Sequence, residues 1–364
     1  MTPPPMTSAA SSSSSSTSTP SASAPTNDPG MTDLLKNARK SRISPLWSAL
    51  TQKAKDDVKL WFVDRANKKG VPFSKLIDFF RAHRGVVEQN YHELWNVDVF
   101  YPDYYTQAFH GYESGNLCFE AAEDCLPATF STSVTYWAGI SPSTATGWIR
   151  QNFTDALVEY IQHVPHHDDG NPATIPTATS MPKKIVDFGG SVGMSSKYLL
   201  ENFDGSHVSL VDLSPHFLAT AKMWFETGGS IMQLDDTSRI SYHHQLAEQS
   251  GFDTNSQDLV SMSFLVHELP PQVALSVFRE AKRILKPGGV IAILDLDPHV
   301  LDRLPVVRKF LFGLTEPHLN MYLKGKPSIP ELLGEAGFVD IDKRPNDRMN
   351  YRLFGRNPVD GGNP

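Results

Sequence analysis

The sequence predicts an α/β protein: a doubly wound, mostly parallel sheet of seven strands behind an N-terminal helical cap. Three observations carry this expectation. The apolar pair Ile185-Val186 runs straight into a glycine-rich turn and a helix. Strand and helix patterns alternate from there to residue 356. The block 31–164 shows helical spacing without strands. The expected division is a Ser/Thr/Pro-rich tail at 1–30, the cap at 31–164, a linker at 165–182, the sheet domain at 183–356 and a short tail at 357–364.

Composition bounds the function. A chain of 364 residues with 40% hydrophobic content can bury a core of two-domain size. Its net charge of −7 argues against a nucleic-acid partner, which asks for a basic face. No run of about 18 apolar residues occurs, so no membrane span is expected. Cys118 and Cys125 fit a reducing compartment and read as one helical face, not as a disulfide or metal site. Residues 1–30 lack the apolar surface that would offset their ordering entropy, so they read as a disordered tail on a cytoplasmic chain. Rich in hydroxyls and without acids before Asp28, they also allow a plastid transit peptide, although the arginines of such peptides are missing.

In the cap, VKLWFVDRA and FSKLIDFFRAHRGVVEQNYHELW have helical periodicity, broken at Gly70-Val71-Pro72. Tyr101, Tyr104, Tyr105, Phe109, His110 and Tyr112 then crowd into twelve positions. Either the rings pack the cap onto the sheet domain, or they form a lid over a bound molecule. His166-His167-Asp168-Asp169, in the linker, read as a solvated loop.

The glycine-rich turn narrows the ligand. Gly189 and Gly193 are four apart, Gly190 follows the first, and Asp187 precedes the loop. A dinucleotide fold wants G-x-G-x-x-G to seat a pyrophosphate. Ser195 or Ser196 is placed to cap the helix that follows. The pattern D-x-G-x-x-x-G resembles motif I of the Rossmann-like (class I) S-adenosylmethionine (SAM)-dependent methyltransferases, and the resemblance extends over 183–356.

That resemblance implies SAM as the cofactor, with the loop under its methionine part and Asp187 holding the amino acid end indirectly. It gives Asp212, 25 residues on at the tip of the second strand, the ribose diol, with Leu213 beside it. Leu246 stands where the family has a polar residue, which leaves adenine to main chain near Ala247 and to Glu248. The fourth strand, through Ser263, resembles motif IV and leads into His267-Glu268. This wording is similar to plant-type O-methyltransferases, in which a histidine followed by an acid is the general base. His267 is therefore the candidate base or orienting residue, helped by Glu268, with His110 as a rival from the cap.

Under this reading the aromatic cluster becomes a lid whose π-faces meet a sulfonium, formed by Tyr105, Phe109 and Tyr112. The insertion 300–326, with Glu316, Pro317, His318 and Tyr322, closes over the acceptor. Lys286-Pro287-Gly288-Gly289 before an apolar strand also matches the family, and the terminal strand pair separates it from a dehydrogenase. The expectation is methyl transfer to a small molecule, with O-methylation first. S- or N-methylation without a base, a protein methyltransferase and a non-catalytic SAM-fold binding protein are the alternatives. A homodimer is compatible with all of them.

Overall fold

The computed structural model describes residues 60, 63–137, 139–162, 181–303 and 318–359; the tail 1–30, His166 to Asp169, Glu316 and Pro317 lie outside them. Two compact units divide the chain, Met1–Arg65 and Ala66–Pro364. The helices expected as a cap from residue 66 on thus share one unit with the sheet.

Seven strands make that sheet: β1 (Lys184–Phe188), β2 (His207–Asp212), β3 (Ile240–His244), β4 (Gln257–Ser263), β5 (Leu285–Leu296), β6 (Val339–Pro345) and β7 (Asn350–Arg356). Their order is β3-β2-β1-β4-β5-β7-β6. The first five run parallel, and β7 is antiparallel to both β5 and β6. Burial on both faces explains why the parallel strands read as continuous apolar runs: Ile185, Val186, Phe188, Val208 and Leu210 are all fully buried. Chain order reverses between β1 and β4, which opens a crevice at the carboxyl ends of the strands.

The Lys286-Pro287-Gly288-Gly289 turn lies inside β5, not ahead of it. Gln257 pairs with Leu285 while Leu259 already pairs with Val290, so the extra residues are accommodated as a bulge. At the outer edge β6 is mostly exposed, carries a second register shift between Val339 and Asp342, and ends on Lys343, Arg344 and Pro345.

From Phe73 on, the helices of five residues or more among the described residues are α1 (Phe73–Ala82), α2 (Arg84–Leu94), α3 (Phe119–Ser133), α4 (Pro142–Gln162), α5 (Met194–Asn202), α6 (Pro215–Thr227), α7 (Pro271–Ile284), α8 (Pro298–Asp302), α9 (Leu319–Lys324) and α10 (Ile329–Glu335). On one face α7 buries Ala274, Val277, Phe278, Ala281 and Ile284 at helical spacing, against a core shared with α10. The N-terminal helices are fastened to the other side. Phe79 of α1 stacks on Trp224 of α6 at 4.8 Å, and Asn90 of α2 donates to the Ala219 carbonyl at 3.3 Å. Phe153 and Tyr160 of α4 pack on Phe354 of β7 at 5.7 and 5.1 Å.

Phe354 is 1% exposed and joins α4 to the terminal strand pair. Phe354→Ala should therefore lower unfolding free energy by about 3–5 kcal/mol in urea titrations. A loss below about 1 kcal/mol would mean that α4 is not held through this contact.

Candidate functional site

Three buried acids of the site, Asp187, Asp212 and Asp295, stand at or near strand ends. Asp187, in β1, is fully buried, and Ser196 Oγ donates to its Oδ2 at 2.6 Å. Ser196 thus serves as a donor to Asp187; the expected serine cap of α5 does not form. Gly193 occupies the N-cap position at φ +86°, a left-handed conformation costly for a side chain, and a Cβ there would stand 2.3 Å from Phe225 Cζ. Leu265 and Leu210 likewise fill the space that side chains at Gly189 and Gly190 would need. The three glycines let the loop pack on protein.

Asp212 ends β2 at 7% exposure, accepting from Ser191 N through Oδ2 and from Ser214 N through Oδ1, both at 2.8 Å. A carboxylate oxygen has two acceptor sites, so both oxygens keep capacity for a diol. Ser214, not Asp212, caps α6. Burial raises both carboxyls, Asp187 to about 7 and Asp212 to about 6, against the pull of Ser196 and Arg150 on the first and of backbone N–H groups on the second.

Beyond β4 the chain makes a short turn, Val266–Glu268. Phe264 enters it at φ +59°, unusual for a bulky residue and a mark of a constrained site. His267 is buried, and its Nδ1 meets Asp295 Oδ1 at 2.6 Å while its backbone N–H donates to Asp295 Oδ2 at 3.0 Å. Asp295, near the end of β5, is fully buried and was not singled out from the sequence. Its one signal was an acid at the end of a parallel strand. Glu268, expected beside His267, faces His110 instead, whose Nε2 lies 3.8 Å from Glu268 Oε1.

The aromatic segment is tied down around these groups. Phe109 and Tyr112 bond each other's backbone across His110 and Gly111, both at positive φ, the geometry of a tight type I′ turn. His110 Nδ1 is 3.3 Å from Asn116 Oδ1, and the Asn116 carbonyl accepts from Ser214 Oγ at 2.7 Å. Tyr104 donates to Glu248 Oε1 at 2.7 Å, so Glu248, expected near adenine, ties down the aromatic segment. Tyr101 OH is 3.0 Å from His244 Nε2, while His244 Nδ1 accepts from Asn96 N–H. Burial lowers His244 to about 4, consistent with the neutral ring these bonds require.

Tyr105 is half-buried, and burial together with the charges of Asp212 and Glu268 raises its phenol well above the usual range. Cys125 of α3 sits 3.2 Å from Ser191 Oγ and is pushed up to about 11, first by burial. Tyr105, His110, Asp212 and Glu268 therefore share one region with Cys125. Tyr112 bonds Asp124 and so ties the aromatic segment to α3. His318 reaches the Tyr104 carbonyl at 3.4 Å, and Tyr322 stands 6.1 Å, ring to ring, from His267. Leu213 is buried, Ala247 packs against the core and Ser263 closes β4 half-buried. Among the described residues no three His, Cys, Asp or Glu side chains gather as a metal site, and no helix is long and apolar enough to cross a membrane.

These residues fit an amino-acid nucleoside: Asp187 Oδ1 is buried without a partner, and the Asp212 carboxylate stands ready at the tip of β2. The profile described as a methyltransferase domain matches residues 186–293. An uncharacterized methyltransferase of Synechocystis is 31% identical over 167 residues, 46% of this chain and 71% of that protein. The mitochondrial 2-methoxy-6-polyprenyl-1,4-benzoquinol methylase of Caenorhabditis elegans is 33% identical, covering 47% of this chain and 56% of its own length. The chloroplastic 2-methyl-6-phytyl-1,4-hydroquinone methyltransferase 1 of rice is 31% identical over 43% of this chain and 42% of its own.

The raised carboxyl of Asp187 makes a pH prediction. Unfolded, the group ionises near about 4; folded, near about 7. Between those values only the folded state holds the proton, so its stabilising contribution is present below about pH 4 and lost as pH rises through about 7. Asp187→Asn should shrink the fall in thermal midpoint of the ligand-free protein between about pH 5 and about pH 8. The same fall in both proteins would show Asp187 to be ionised throughout.

Proposed function

Since this chain belongs to the Rossmann-like SAM-dependent methyltransferases and takes SAM as its cofactor, we propose that it methylates a small molecule bearing an acidic hydroxyl, with His267 as the group that takes or holds its proton. The observation that carries this reading is the buried His267–Asp295 pair at the end of β4. Asp187, Asp212 and the glycine loop would hold the cofactor, with Leu213, Ala247, Glu248 and Ser263 along its length. When bound, SAM supplies a methyl group on a sulfonium, already activated toward a nucleophile.

The chain then has to bring the acceptor to about 3 Å from that methyl and keep water out. With the Nδ1 proton directed at Asp295, His267 carries its lone pair on Nε2, the tautomer a base needs. Asp295 also stabilises the imidazolium formed when that proton arrives. Tyr105, Phe109, His318 and Tyr322 enclose the acceptor side, and the lid bonds of Tyr101 and Tyr104 hold this cover in place.

The names of two relatives, a benzoquinol methylase and a hydroquinone methyltransferase, favour a phenolic acceptor. For such a ring one base serves methylation at oxygen or at carbon, because each route loses a proton and the phenolate is the stronger nucleophile at both. The hydroxyl-rich residues 1–30 suit a cytoplasmic tail or a plastid address, the latter matching the chloroplastic rice relative.

With phenols and hydroquinones as acceptors, His267→Gln should leave SAM affinity by calorimetry intact while kcat falls about 10²–10⁴-fold. Unchanged turnover would remove His267 from the reaction. Asp295→Asn should lower kcat with little change in KM and should shift the acidic limb of the pH–rate profile, a displacement that a purely structural role would not give. NMR of the product separates an O-methyl from a ring methyl.

A further inference from the structure

At the amino ends of β4 and β5, away from the crevice, the last turns of α7 face a cavity of about 400 Å³, a volume within the range of small-molecule sites. Three bases of that helix, Arg279, Lys282 and Arg283, line it, and no acid does. In a chain with 40 acids against 33 bases this is a local reversal of charge. Three and four residues apart on one helix, these cations repel one another.

Their neighbours offset only part of that repulsion. Arg283 is pinned: its Nε and Nη2 donate to Glu280 at 2.7 and 2.8 Å, Nη2 also to the Phe252 carbonyl at 2.8 Å, and Nη1 to Thr254 Oγ1 at 3.1 Å. One Nη1 hydrogen is left over. Arg279 meets Glu335 at 3.2 Å, but both side chains are more than half exposed, so water competes with the pair. Lys282 has no acid partner among the described residues. Its ammonium lies against Gly337, where a Cβ would stand 2.5 Å from Nζ, so the bare backbone there gives the lysine head its place.

Cations near a helix C-terminus can serve its carbonyls and its dipole. Here the carbonyls are already taken. The Asn357 amide donates to those of Lys282 and Leu285 at 3.4 and 2.8 Å, and the N–H groups of Asn255 and Ser256 donate to those of Arg283 and Ile284 at 3.0 and 2.8 Å. The basic side chains are therefore not consumed as caps, and their charge is presented to the cavity. The lining also includes Pro287, Ala336 and Pro358, which offer no donor. We propose that this cavity binds a small phosphate monoester, its phosphate on Lys282, Arg279 and the remaining Arg283 N–H, its organic body against Pro287, Ala336 and Pro358. A nucleic acid would ask for a longer basic stripe than three residues in a recess. The proposal does not depend on what the crevice binds.

The test is calorimetry on the full chain with phenyl phosphate, glucose 6-phosphate and inorganic phosphate, each in a buffer without other anions of that kind. At least one monoester should bind saturably, one per chain, and more tightly than inorganic phosphate. Lys282→Gln and Arg279→Gln should each weaken it by about 10–100-fold, the worth of a charge-assisted contact, while SAM titrations stay unchanged. Neither residue is buried, so these variants should keep the thermal midpoint of the unmodified protein. No saturable binding of either monoester to the unmodified protein would overturn the proposal, whatever the variants do. So would binding that survives both substitutions or that SAM displaces. Equal affinity for inorganic phosphate would reduce the cavity to a place for an adventitious ion.

Discussion

A carboxylate taken out of water must be given donors, and three of them at the strand ends organise this molecule. Asp187, Asp212 and Asp295 stand at or near the carboxyl ends of β1, β2 and β5, and all are buried. Asp212 draws in the N–H groups of Ser191 and Ser214, closing the glycine loop onto the β2–α6 connection. Asp295 takes N–H groups from His267 and Leu296 as well as the His267 ring, so the turn after β4 cannot move without exposing an anion in the core. Asp187 fixes the start of α5 through Ser196. Each acid shapes the loop beside it, and the loops together define the crevice.

This explains which parts were legible in the sequence. The strand, glycine loop and helix at 184–202 are local, because periodicity and turn chemistry act on neighbours. The alternation that follows gives a parallel sheet for the same reason. His267 could be placed at the site because it follows a strand end. Its partner could not: Asp295 lies 28 residues away and meets His267 only because β4 and β5 are adjacent, whereas Glu268, the nearest acid in sequence, points toward His110. Ser195 or Ser196 reads as a cap because serine near a helix start usually is one, but a buried anion within reach of Ser196 outweighs that preference.

The aromatic segment 101–116 is held mainly by polar contacts at its ends and packing in its middle. Tyr101 engages His244 at the end of β3 and Tyr104 engages Glu248 just beyond it, while the Asn116 carbonyl is held by Ser214. Of the two roles the sequence leaves open, the contacts observed are anchoring ones, as Tyr112 makes on Asp124, while burial and the charges of Asp212 and Glu268 raise the Tyr105 phenol.

The outer edge has its own consequence. An exposed edge strand offers a row of free N–H and C=O groups to any chain that can align with it, and a flat apolar one invites runaway stacking. β6 discourages this: its irregular register, its charged Asp340, Asp342, Lys343 and Arg344, and its closing proline spoil the template. A second copy of this protein would have to meet it by some surface other than a sheet continued through β6, and the hairpin that completes the sheet also guards it against aggregation.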